Sequence, residues 1–156
     1  MVPEQIIESV IDNYASEEKT YVQDLAEIME LVPALLAFLD QESINILKED
    51  EKDILWYIVL IMYKSIEKSE ETNQILEDTT LSENEEKNWT IYQAQPRGTF
   101  RDRITVFFEI YPQEDLLAFV EDTLELEESS PMTNVGREVI FIAAKSIIDT
   151  LLPTKY

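Results

Sequence analysis

The residue types behind most enzyme chemistry are missing from this chain. It has no histidine and no cysteine. That removes the commonest general base, the Ser–His and Cys–His nucleophile pairs, and all imidazole or thiolate metal ligands. Two glycines cannot build a phosphate-cradling loop or a dinucleotide fingerprint. What remains for chemistry is carboxylate and guanidinium. Thirty-three acids could hold Mg²⁺ or Mn²⁺ between facing helices, as an all-α phosphohydrolase would need. Acids three apart, which share a helix face, occur at 24/27, 27/30, 50/53, 67/70, 83/86, 122/125 and 125/128. Random placement of the same acids also yields about seven such pairs, so the spacing singles out no metal ligand. No residue is assigned a catalytic role, no metal site is assigned, and no cofactor is expected.

The arginines are less evenly spread. Arg97, Arg101 and Arg103 fall close together, Gly98 follows Arg97, and Arg137 follows Gly136. Each glycine therefore sits beside an arginine and near an expected helix start. Free backbone N–H groups, the positive helix end and a guanidinium together make an anion site. Arg97, Gly98, Arg101, Arg103 and Arg137 are its candidate residues. The plainer alternative pairs the same arginines with nearby acids, at small energetic consequence.

Charge is the strongest global feature: thirty-three acids against twelve bases leave a net −21. Such a field repels phosphate backbones and anionic membranes and attracts basic proteins. Residues 1–53 hold fourteen acids and three lysines, while residues 112–130 hold seven acids and no base. Two clusters stand out as a partner surface: Glu49, Asp50, Glu51 and Asp53, and then Glu121, Asp122, Glu125, Glu127 and Glu128. The competing explanation is bulk solubility.

The elements that must carry these groups follow from apolar period. Ile54 to Tyr63 is an unbroken run of apolar and aromatic residues between charged flanks, which as a helix must be surrounded on every side. It is too short to span a membrane. A second such element covers about Thr133 to Leu152, apolar from Val139 onward. One-sided helices are expected from Pro3, after a Ser16 cap with a kink or break near Met29–Val32 ahead of Pro33, from a Ser82/Glu85 capping box, and after Pro112. Residues 70–80 read as a loop. Residues 89–108 favour helix by the spacing of Phe100, Ile104, Phe107, Phe108 and Tyr111, with Thr99 and Asp102 as a cap; a hairpin competes there. The expectation is one all-α domain over residues 1–156, irregular, with about seven to nine helices around two buried apolar helices, 54–63 and 139–152.

The start Met-Val-Pro-Glu-Gln lacks a basic and an apolar signal region, so a soluble cytoplasmic protein is expected. For function the sequence favours a non-catalytic acidic interaction module of inhibitor, immunity, adaptor or nucleic-acid-mimic type. Its partner would be a basic protein, with no direct nucleic-acid or membrane contact. The alternative is a carboxylate–metal phosphohydrolase whose arginine cluster holds the phosphate.

Overall fold

Apolar residues recurring every three to four positions make helices throughout, and the described residues contain no strand. The computed structural model describes residues 1–69, 76–125 and 132–153. In chain order the helices are α1 (Glu4–Ser16), α2 (Glu18–Leu31), α3 (Pro33–Leu39), α4 (Glu42–Asn45), α5 (Glu49–Lys68), α6 (Asp78–Gln93), α7 (Phe100–Ile104), α8 (Glu114–Glu125) and α9 (Asn134–Leu151). A 3-10 turn, Thr105–Phe108, continues α7. The all-α expectation is met, and residues 89–108 hold the end of α6, α7 and the 3-10 turn, joined by a loop over 94–99, with no hairpin.

The two apolar runs are the centre. In α5 the stretch Ile58 to Met62 is at most 1% exposed at every position. In α9 every residue from Val139 to Ile148 is buried, two polar ones included. Around them α6 packs along α9, α1 and α2 against α5, and α8 against both α9 and α1. Each outer helix buries one stripe, such as Leu116, Leu117, Val120 and Leu124 of α8, and leaves its charges outward. None of the helices in the described residues is long and apolar enough to cross a membrane.

Some expected boundaries are met and others differ, each for a physical reason. The break expected near Met29–Val32 falls at Val32, whose non-helical backbone (φ −125°, ψ 74°) precedes the proline that opens α3. Ser16 ends α1 and does not cap α2, because its hydroxyl donates back to Asp12 and Asn13 carbonyls. The Ser82/Glu85 pair is interior to α6, which starts at Asp78. Glu85 instead accepts from the Gln41 amide at 3.0 and 3.1 Å, so the residue that looks like a local cap makes a long-range bond. Of the expected 70–80 loop, 70–75 lie outside the described residues, and 78–80 are not loop but the first turn of α6. Thr99 and Asp102 do cap α7 reciprocally, with Asp102 N–H to Thr99 Oγ1 at 3.1 Å and Thr99 N–H to Asp102 Oδ2 at 3.4 Å.

Candidate functional site

The helix starts expected to attract an external anion carry carboxylates of the chain itself. At α9, Thr133 caps by accepting from Gly136 N–H at 2.9 Å. Glu51 Oε2 then accepts from both the N–H and the hydroxyl of Thr133, each at 2.9 Å, while Oε1 accepts from Lys48 N–H at 3.0 Å. One carboxylate thus closes the first turns of α5 and α9 together. Burial alone would raise its pKa, but the bonds from Lys48 and Thr133 outweigh burial and hold it below the ordinary glutamate value. A Cβ at Gly136 would collide with this carboxylate, which explains the glycine. Glu51, 2% exposed, is therefore not part of the acidic surface expected of Glu49, Asp50, Glu51 and Asp53. The other three are exposed. With Glu51, Glu49 and Asp50 sit in the first turn of α5, where negative charge complements the helix dipole.

The five anion-site candidates take different surroundings. Arg97 and Gly98 are exposed, and Gly98 faces the Asp102 side chain. Arg101 is exposed and electrostatically favours ionised Glu121. Arg103 stacks over the Tyr92 ring at 4.0 Å, donates to Tyr92 O at 3.3 Å and lies 3.6 Å from Glu138. Arg137 is half-buried, with its Nε out of water and unbonded.

A buried polar cluster went unread in the sequence. Lys145 Nζ donates to Asp149 Oδ2 at 2.7 Å and Asn88 Oδ1 at 3.1 Å, between the rings of Tyr111 (4.8 Å) and Phe107 (5.2 Å). Asn88 donates to Ser146 Oγ and Asp149, and Tyr111 donates to Asp149 Oδ1 at 2.6 Å. Burial first, and then the Asp149 charge, push the Tyr111 hydroxyl far up, so it stays protonated as a donor. These bonds join α6, α9 and the turn before α8. The legible signal was two charges, four apart, inside the largely apolar stretch that begins at Val139.

The surface holds a different kind of feature. The starts of α1 and α8 are tied by Val2 N–H to Gln113 Oε1 and Glu4 N–H to Asp115 Oδ2, both 3.1 Å. From there the two helices run in the same direction and leave a groove of about 390 Å³ between them. Glu4, Ile7, Glu8 and Ile11 form one wall, at helical spacing. Asp115, Ala118, Phe119, Asp122 and Thr123 form the other, and Tyr57 of α5 closes the floor. Phe119 and Tyr57 pack as tilted rings with centres 6.3 Å apart, continuing a row of rings through Tyr21 to Tyr14. The lining has four carboxylates and no cation.

Asp122 belongs both to this groove and to the cluster at the end of α8. There Glu121, Asp122 and Glu125 bring carboxylate oxygens within 4.8 Å of one another. Burial, then the charge of Glu125, pushes the Glu121 carboxyl up, with Asp122 adding to the rise and Arg101 opposing it. This is the negative end of the helix dipole, and the last turn has no base. Glu127 and Glu128, expected in the same cluster, lie outside the described residues. Of the groove acids only Asp122 had been singled out. Glu4, Glu8 and Asp115 were missed, although acids alternate with apolar residues on one face of each helix.

A second groove, of about 360 Å³, lies among α1, α2 and α5 and mixes both charge signs. Its lysines are engaged, Lys68 with Ser9 and Lys64 with Glu67. No protein-family model, curated protein or solved structure matches the chain.

Proposed function

We propose that the protein is a non-catalytic acidic binding module whose partner is a basic protein, engaged along the α1–α8 groove and the adjoining end of α8. The observation that carries this reading is the groove itself: an apolar floor walled by Glu4, Glu8, Asp115 and Asp122 without a lysine or arginine. The acids of α8 also crowd where the helix dipole disfavours them. Solubility alone gives no reason for such crowding, and a cationic partner relieves it. Glu49 and Asp50, like Glu4 and Asp115 of the groove, sit in helix first turns and have a structural reason for their place, whereas Glu8 and Asp122 do not. The carboxylate–metal reading draws less support, since Glu121, Asp122 and Glu125 come from one helix and a catalytic clamp needs ligands fixed from several sides.

The test compares two charge reversals of equal size, Glu8→Lys with Asp122→Lys and Glu49→Lys with Asp50→Lys. Binding of a lysine oligomer at low salt should fall about tenfold further for the first pair and weaken steeply as salt rises. Equal losses would mean that bulk charge, and not this surface, governs association. A melting temperature raised by Mg²⁺ well beyond Na⁺ at equal ionic strength would favour the metal reading instead.

A further inference from the structure

Resting on that reading, we infer that the occupant of the α1–α8 groove is a basic amphipathic helix of the partner, lying between the two walls as a third helix. Three features point to a helix over an extended or small cationic ligand. The walls present groups at i, i+3, i+4 and i+7 on α1 and at i, i+3, i+4, i+7 and i+8 on α8, the periodicity into which helix ridges pack. From Glu4 to Ile11 the wall runs two turns, about 10 Å, so the groove matches a short helix face. The apolar lining residues, Ile7 and Ile11 on one wall, Ala118 and Phe119 on the other and Tyr57 beneath, suit an apolar stripe better than a chain of ammonium groups.

Charge sets the rest of the recognition. Glu4 and Glu8 stand on one wall, Asp115 and Asp122 on the other. Apolar anchors of the bound helix would drop to the floor at i, i+3 or i+4, and i+7, while lysines or arginines on both flanks meet the walls. Glu8 and Asp122 are exposed, and among the described residues no side-chain or backbone group donates to either. Asp115 already accepts from Glu4 N–H, so Glu8 and Asp122 are the main flank contacts. Acids of the same α8 end, Glu121 and Glu125, extend the field beyond the groove and steer approach.

The experiment uses two synthetic peptides of identical leucine and lysine composition, one patterned at the helical period and one alternating. Affinity is read by fluorescence anisotropy against the full chain, with methyl resonances of Ile7 and Ile11 locating the site. The helical peptide should bind about tenfold more tightly than the alternating one and shift those methyls. Ala118→Trp, which fills the groove without changing charge, should erase that preference and leave the salt-sensitive remainder. If Ala118→Trp does not fold, the methyl shifts decide alone: their absence overturns the inference. Equal binding of both peptides overturns the helical occupant while leaving the acidic-module reading standing. If neither binds at low salt, both readings fall. Should spermidine displace the helical peptide at concentrations where Mg²⁺ does not, the groove is a small-polycation site and the helix inference is overturned.

Discussion

Glu51 receives three hydrogen bonds from groups on two helices, and a neutral amide at that position would have to turn a donor toward one of them. Glu51→Gln should cost about 2 kcal/mol at pH 7, the scale of charge-assisted bonds lost from a buried group. Its pKa is lowered on folding, so its contribution is present above the ordinary glutamate range and disappears as pH falls through the lower folded value. Melting curves of the wild type and the variant should therefore converge in acid; a gap that stays constant with pH would remove the ionic part of the explanation. Ile110 poses the opposite case. It is a β-branched residue at φ 54°, fully exposed, a conformation that Asn adopts at less cost. Ile110→Asn should stabilise the fold by about 1 kcal/mol in urea titrations. A loss of stability would mean that the Ile110 side chain makes a contact worth more than the strain.

At the scale of elements, the buried cluster on α9 works as a cross-brace between α6, α9 and the turn carrying Tyr111. The Lys145 and Asp149 side chains are 9% and 19% exposed. Removing either partner strands the other, so Lys145→Met or Asp149→Leu alone should each cost about 3–5 kcal/mol. The double substitution should cost clearly less than the sum, and additive values in a double-mutant cycle would show the pair to be uncoupled. The same helix shows what a sequence can and cannot disclose. Its run from Val139 announced a buried helix, because apolar period depends only on local composition. Lys145 and Asp149 were passed over because their satisfaction depends on Asn88 and Tyr111, brought in by tertiary packing. Boundaries followed the same rule: Thr99 and Asp102, partners within one turn, were readable, whereas Glu85 is committed to Gln41 across 44 positions. The groove was half legible, since each wall is a local pattern but their pairing is not.

At the scale of the whole molecule, a net charge of −21 must be held in one folded body. Sodium chloride shortens the Debye length from about 30 Å at 0.01 M to about 8 Å at 0.15 M. Self-repulsion should weaken accordingly, so the melting temperature should rise by several degrees over that range. A fall would mean that attractive pairs such as Arg103–Glu138 outweigh the repulsion. The Glu51 cap has a further meaning at this scale. It joins residues 82 positions apart, so the amide protons of Lys48, Thr133 and Gly136 are protected by one shared latch. Solvent exchange at all three should report a single opening free energy, with the beginnings of α5 and α9 coming loose as one cooperative unit. Without the carboxylate those two helix ends would breathe independently, each at its own rate.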